Sequence, residues 1–329
     1  MNFKQVPRIP SSEELVEYAF SRARRRHRLG RSQGRWASER RRIVLASASA
    51  RRWLNRILGR MPEVGSLPPF YRELVDVLVG AERLERSLRS LRWAASKIER
   101  IEGDCLRRLG SARSAEEARR IRREFYGRAA SVIRSIEGEL DFLRDARERL
   151  KNLPSFREVF TAVIAGAPNV GKSSLLRQLT GSEPRIESYP FTTTSLLVGY
   201  LREGFREVQL VDTPGLLDRS VEEMNRAERQ CMLALRHLAE LVVFVFDPSE
   251  SCGYTLEQQL RIHANVASTL EMRLLRVVNK ADLLERERLE ELRRREPFTD
   301  AVVCSAKLGY GIEELRRRIL ELSESATKV

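Results

Sequence analysis

Gly166-Ala-Pro-Asn-Val-Gly171-Lys172-Ser173 decides how the second half of this 329-residue chain is read. The apolar run Val159-Phe-Thr-Ala-Val-Ile-Ala165 precedes it, and the helix-forming stretch Ser174-Leu-Leu-Arg-Gln-Leu179 follows. A Gly-x4-Gly-Lys-Ser between a buried strand and a helix is the setting of a phosphate-binding loop. Small residues let backbone N–H groups converge on an anion, and the helix start adds its partial positive charge. On this reading Gly166, Pro168, Asn169, Val170, Gly171, Lys172, Ser173 and Ser174 line the phosphates. Lys172 reaches the β- and γ-phosphates, and the Ser173 hydroxyl holds Mg²⁺.

Further blocks follow in order. In Tyr189-Pro-Phe-Thr-Thr-Thr194 a threonine can complete the Mg²⁺ shell and touch the γ-phosphate, with Thr192, Thr193 and Thr194 as candidates. Asp212-Thr-Pro-Gly215 follows the strand-like Val208-Gln-Leu-Val211. There Asp212 can hold Mg²⁺ through water, and the Gly215 N–H can bond the γ-phosphate, a tether that hydrolysis removes. Asn279-Lys280-Ala-Asp282 follows Arg276-Val-Val278. A carboxylate at Asp282 can accept from both N1–H and the exocyclic amine of guanine, a donor pair adenine lacks, and a site built for those bonds penalises the analogue without them. Ser305-Ala306-Lys307 can present backbone to the guanine O6, and the stems of Lys280 and Lys307 can flank the base. Together and in this order the blocks read as a GTPase of the translation-factor class, with an adenine nucleotide as the alternative. After the Asp-x-x-Gly block stands Leu216, where many small GTPases carry the glutamine that orients water. An apolar side chain cannot do that, so slow intrinsic turnover is expected.

The chain is long enough for two domains, and its hydrophobic content of 42% supports real cores. No apolar run approaches the roughly 20 residues that span a bilayer. The polar start Met1-Asn-Phe-Lys-Gln-Val-Pro lacks a signal core, so a cytoplasmic location without stable membrane association is expected. Cys105, Cys231, Cys252 and Cys304 are scattered, which favours buried reduced thiols over zinc or disulfides. Residues 1–157 hold 37 of the 60 Lys+Arg and only 20 of the 46 Asp+Glu, an excess of +17, while the remainder is slightly acidic. That asymmetry points to a polyanion partner for the front half, with Arg22, Arg24, Arg25, Arg26 and Arg28 and then Arg40, Arg41, Arg42, Arg51 and Arg52 as the candidate contacts.

In that half, Ser11-Ser-Glu-Glu14 reads as a capping box opening a helix that Gly30 ends. A second helix is expected over about 35–58, then a break rich in Gly and Pro through Pro69. Leu74, Val77, Ala81, Leu84, Leu88, Leu91, Ala95 and Ile98 form one apolar seam. Beyond Gly110 and a capping box at Ser114–Glu117, a second seam runs from Ala118 to Leu150. Two such stripes joined by a short turn should pack antiparallel. The second half alternates strands (159–165, 196–202, 207–211, 240–246, 274–278, 300–304) with helices (172–180, 219–238, 254–269, 284–294, 311–323). The expected fold is therefore α + α/β. A basic α-helical bundle with an antiparallel hairpin fills 1–157, and a doubly wound P-loop GTPase domain with a mostly parallel sheet fills 158–329.

The phosphate loop, Tyr189-Pro-Phe-Thr-Thr-Thr-Ser-Leu196, Asp212-Thr-Pro-Gly-Leu-Leu-Asp218 and Asp247-Pro-Ser-Glu-Ser-Cys-Gly253, with Ser249–Gly253 the most distinctive element, resemble the nucleolar GTP-binding protein family, the Nog branch of the Obg class. The helical front half fits that family, in a short, archaeal-like form. The resemblance favours Thr193 among the three threonines, so that Lys172, Thr193 and Gly215 are the catalytic candidates and Ser173, Thr193 and Asp212 the metal ligands. It also implies GTP/GDP and Mg²⁺, and a role for Asn169 in binding K⁺, as in some related GTPases, the alternative being that Asn169 only shapes the loop. Its implied setting is maturation of the large ribosomal subunit, with rRNA, the subunit precursor and other assembly factors as partners. Two other readings stay open: an RNA-binding placeholder whose hydrolysis is incidental, and a signalling GTPase with a protein or membrane partner.

Overall fold

A computed structural model of the chain describes residues 3–25, 36–189, 195–213, 234–270 and 272–326. Two compact units divide it. One comprises residues 2–67 and 78–151, the other residues 68–77 together with 152–329. The composition-based boundary after residue 157 runs along the chain, whereas packing gathers residues 68–77 into the second unit.

The first unit is helical. In α1 (Ser12–Arg25) the Ser11 hydroxyl accepts from Glu14 N at 3.2 Å and the Glu14 carboxylate accepts from Ser11 N at 2.9 Å, the reciprocal box read from sequence. α2 (Ala37–Leu58) packs on α1, and its buried face carries Ile43, Ala46, Ala50 and Leu54. The single seam expected from Leu74 is broken. Gly80 adopts φ 78°, ψ 110°, which only glycine takes cheaply, and separates α3 (Pro69–Val79) from α4 (Ala81–Gly110). The second seam is likewise two helices, α5 (Ala115–Ser135) and α6 (Glu137–Leu150), parted at Ile136 (φ −105°, ψ 15°). The Glu137 carboxylate there accepts from Ser12 N at 2.7 Å, so a tertiary contact sits at the bend. Apolar spacing continues through both breaks, which is why periodicity alone did not reveal them. The stripes still meet as expected: α4 packs on α5 and α6, burying Leu84, Leu88, Leu91 and Ile98 with Ile121, Phe125, Leu140 and Leu143.

The second unit is a seven-stranded sheet in the order β2-β3-β4-β1-β5-β6-β7. Its strands are β1 (Thr161–Ala165), β2 (Arg185–Glu187), β3 (Leu196–Glu203), β4 (Arg206–Asp212), β5 (Leu241–Phe246), β6 (Arg273–Val278) and β7 (Val302–Val303). β4, β1, β5, β6 and β7 pair in parallel, while β2 and β3 extend the edge antiparallel. β2 was not read from the sequence, because three residues on an edge carry no periodic signal. Between the strands run α7 (Lys172–Thr180), α8 (Leu256–Leu270) and α9 (Arg286–Arg293), and α10 (Ile312–Ala326) follows β7. The helix expected over 219–238 falls mostly outside the described residues, and Leu235–His237 is a short 3-10 turn. β1 and β5 are buried along their whole length, as strands covered on both faces must be. Asp212 ends β4, and the phosphate loop, Asp247 and Asn279 directly follow β1, β5 and β6, so the polar residues collect at one edge of the parallel strands, where such sheets bind ligands.

α3 is tied to this sheet by aromatic packing. Phe70 lies 5.4 Å from Phe156 and 6.5 Å from Tyr189 between ring centroids. The Tyr71 hydroxyl donates to Pro154 O at 3.1 Å and accepts from Phe156 N at 3.0 Å, and burial raises its pKa. We expect Phe70→Ala to cost about 3–5 kcal/mol, the usual loss for a buried phenylalanine. Urea titration that resolves the two units should show the loss on the sheet unit; a loss confined to the helical unit would contradict the assignment of α3.

Candidate functional site

The phosphate loop leaves β1 and enters α7 through two positions that require glycine. At Gly166 (φ 142°) an added Cβ would lie 2.4 Å from Val245 O, and at Gly171 (φ 101°) one would lie 2.3 Å from Asn279 Nδ2. Asn169 is exposed and takes φ 60°, a region asparagine tolerates better than most residues. Pro168 is half-buried and Val170 fully buried, which fixes the loop against the sheet. Lys172 opens α7 and is 6% exposed, its Nζ donating to Gly166 O and Ala167 O at 2.8 Å each. The ammonium is thus held inside the curve of the loop. Ser173 Oγ donates to Asp212 Oδ2 at 2.6 Å, so two oxygens of the kind a hard divalent cation takes lie side by side where α7 meets the end of β4.

Asn279 joins this loop to the rest of the site. Its Nδ2 donates to Val170 O at 2.8 Å, and its Oδ1 accepts from Ala306 N at 2.9 Å. Cys304 lies beneath, its thiol 3.7 Å from the same Oδ1 and pushed by burial to a pKa of about 12, an inert proton-bearing side chain. Cys105 and Cys252 are also free and buried, and Cys231 lies outside the described residues. Asp282 is exposed and accepts from Ser305 Oγ at 2.6 Å, while Ser305 Oγ also accepts from Leu308 N at 3.2 Å. The carboxylate is therefore oriented by a residue of the next loop. A cavity of about 480 Å³ is lined by Gly171, Ser174, Asn279, Lys280, Asp282, Ser305, Ala306 and Lys307. Residues from the phosphate loop, the loop after β6 and the loop after β7 thus face one space. Thr192, Thr193, Thr194, Gly215 and Leu216 lie outside the described residues.

Lys280 has a further partner. Its Nζ donates to Asp247 Oδ2 at 2.8 Å. Burial alone would raise the pKa of Asp247, but the hydrogen bonds from Lys280 and Ser249 outweigh it and hold the carboxyl below its ordinary value.

On the helical unit, the structure separates arginines the sequence could not. Arg22, Arg24 and Arg25 lie towards the end of α1, and Arg26 and Arg28 lie outside the described residues. Arg51 is bound to Glu99 at 2.5 Å and Glu102 at 3.4 Å, and Arg42 lies 3.7 Å from Glu39. Arg40, Arg41 and Arg52 are exposed and make no ion pair among the described residues. So are Arg119, Arg120 and Arg123 on α5, which the sequence reading did not single out. The other arginines of α5 are engaged: Arg122 with Glu39 at 2.5 Å, Arg128 with Glu124 at 3.6 Å and Arg134 with Glu13 at 2.7 Å. An unpaired triplet on adjacent turns repels itself by about 0.2–0.5 kcal/mol per pair, which an anion would relieve. The Arg-Arg-x-x-Arg spacing was visible in the sequence; the structure adds that all three are exposed and without an ion pair among the described residues, as Arg86, Lys97 and Arg100 on α4 also are.

Two family comparisons divide the chain in the same order as its units. Residues 3–156 match the NOG1 N-terminal helical domain, and residues 161–280 match the family described as 50S ribosome-binding GTPase. An uncharacterized protein of Methanocaldococcus jannaschii is 39% identical over 88% of this chain and 83% of its own length. Nucleolar GTP-binding protein 1 of Eremothecium gossypii is 32% identical over 89% of this chain, and that of Saccharomyces cerevisiae 33% over 80%. The chain spans 47% and 42% of those two fungal proteins, so under half their length. Among solved structures, a Plasmodium falciparum chain described as nucleolar GTP-binding protein 1 is 29% identical, covering 54% of this chain and 92% of that one, with a TM-score of 0.46. With an archaeal relative matched over 83% of its length and both domain families matched in order, the chain belongs to the Nog family of GTP-binding GTPases.

Proposed function

We propose that the chain is a GTP-hydrolysing switch that acts in the maturation of the large ribosomal subunit, its helical unit binding rRNA. One observation carries the nucleotide half: the Asn279 carboxamide bridges Val170 O and Ala306 N, so phosphate and base loops form one preorganised site. Lys172 supplies charge to the β- and γ-phosphates, and Asp282 reads the purine edge. Ser173 and Asp212 are the side chains that hold Mg²⁺, which when bound supplies positive charge to the phosphate oxygens. Thr193 and Gly215 complete the γ-phosphate contacts in this reading, and Leu216, in place of a water-orienting glutamine, makes intrinsic turnover slow. A cytoplasmic location goes with it.

The test of the nucleotide is direct. Calorimetry should give tight GTP and GDP binding and little ATP binding. Asp282→Ala should weaken GTP by about 10- to 150-fold, the range of a hydrogen bond to a charged group. Equal affinity for ATP would overturn the guanine reading.

Asn169 is proposed to bind K⁺ in place of a cationic finger. Turnover in KCl should then exceed turnover in matched NaCl, and equal rates would remove K⁺ from the account.

The polyanion half rests on exposed arginines without ion pairs among the described residues, Arg119, Arg120 and Arg123 with Arg40, Arg41 and Arg52. Arginine suits phosphate because its fork offers two parallel donors. Changing Arg119, Arg120 and Arg123 to Gln should weaken binding to rRNA and lower the slope of log K against log salt by about two. An unchanged slope would exclude this patch. Cosedimentation with ribosomal subunits in GTP and in GDP separates a switch, which associates in one state only, from a placeholder, which associates in both.

A further inference from the structure

Asp247-Pro-Ser-Glu-Ser-Cys-Gly253, which contains the most distinctive element of the family resemblance, Ser249–Gly253, has no part in the roles assigned above. It folds around one carboxylate. Asp247 is fully buried. Its Oδ1 accepts from Ser249 N at 3.1 Å and Ser249 Oγ at 2.5 Å. Its Oδ2 accepts from Ser251 Oγ at 3.0 Å, Cys252 N at 2.9 Å and Lys280 Nζ at 2.8 Å. Lys280 Nζ also donates to Ser251 Oγ at 2.9 Å. Behind this turn Gln259, fully buried on α8, accepts from Asp247 N at 2.7 Å and donates to Asp247 O at 2.8 Å and Tyr254 O at 2.9 Å. Glu250, at φ 57°, caps α8 by accepting from Leu256 N at 2.7 Å. The segment is therefore anchored to the sheet and to a helix before it meets the lysine.

Lys280 is fixed at both ends. Its backbone is left-handed (φ 58°, ψ 34°), a conformation that persists in a non-glycine residue only when the surroundings impose it. Its ammonium is gripped by Asp247 and Ser251. Lys280, whose apolar stem runs between those ends, borders the cavity that Asp282 and Ala306 also line.

We propose that Asp247, assisted by Ser251, is a positioning residue of the base site: it anchors the Lys280 ammonium so that the lysine stem forms a fixed wall against the purine ring face. The inference rests on the guanine-nucleotide reading above. A lysine without this anchor would carry its charge into water and take its stem along, and ordering it on binding would cost rotamer entropy. With the anchor, that ordering is complete before the base arrives. The stem contacts a ring face, which guanine and hypoxanthine share, whereas Asp282 reads the edge where they differ by the exocyclic amine.

The experiment measures Kd for GTP and inosine triphosphate, together with turnover, on the full chain and on Asp247→Asn and Ser251→Ala. Asp247→Asn should weaken both nucleotides about tenfold, near the low end for a hydrogen bond to a charged group, and Ser251→Ala about threefold, the loss of an ordinary hydrogen bond. The ratio of GTP to inosine triphosphate affinity should stay constant, and turnover at saturating nucleotide should stay within about twofold, a split in which KM moves and kcat does not. In a Lys280→Met background, Asp247→Asn should have no further effect on Kd. Ser251 is exposed, so its loss leaves the fold intact and decides the matter if Asp247→Asn fails to fold. Unchanged affinities in folded variants overturn this inference alone, as does a collapse of the ratio, which would route the effect through Asp282. If the unsubstituted chain binds no guanine nucleotide, the functional reading falls and this inference with it.

Discussion

The nucleotide site depends on the carboxamide of Asn279. That side chain, 1% exposed, has both polar atoms satisfied by backbone groups: Val170 O, which is 109 residues earlier in the chain, and Ala306 N, which is 27 residues later. A buried amide that lost either partner would keep an unpaired polar atom at a cost of about 1–3 kcal/mol. The arrangement therefore fixes three loops relative to each other at once. It also explains why Gly171 can be nothing larger, since the Asn279 amide occupies the place where a Cβ would stand.

The sheet makes that arrangement possible. Parallel strands bring their carboxyl ends to one edge, and the interior below that edge is apolar: β1 and β5 are buried from end to end. Lys172, Asp212, Thr213, Asp247, Asn279 and Ser305 form a buried polar layer on top. Each charged member of it sits against a group that compensates it. Lys172 is held by loop carbonyls, Asp212 accepts from Ser173, and Asp247 is paired with Lys280. Buried charges are tolerated only when paired and hydrogen-bonded in this way.

The helical unit uses charge differently. Its apolar stripes are consumed by helix packing, and its carboxylates neutralise a subset of its arginines. Exposed ion pairs of this kind add little to stability, but they decide which guanidinium groups remain available to phosphate. Arg51, joined to two glutamates, is spent on the fold, whereas Arg119, Arg120 and Arg123 are not.

The sequence by itself determined the order strand, phosphate loop, helix, the order of the nucleotide blocks, the helix start at Ser11–Glu14 and the two-part α + α/β architecture. Those features are set by chemistry acting over a few residues: a glycine's φ range, a cap, a period of two or 3.6. Only the tertiary structure decided that Gly80 and Ile136 break the apolar seams, that residues 68–77 pack with the sheet, that a short β2 joins its edge, that Asp247 holds Lys280, and that Arg42 and Arg51 are engaged while the α5 arginines are not. Most of these depend on a partner distant in the chain, such as Asp247 and Lys280 at a separation of 33 or Ser12 and Glu137 at a separation of 125, whereas Arg42 pairs locally with Glu39. A local pattern carries no record of such a partner, because the contact exists only after the backbone has brought the two together.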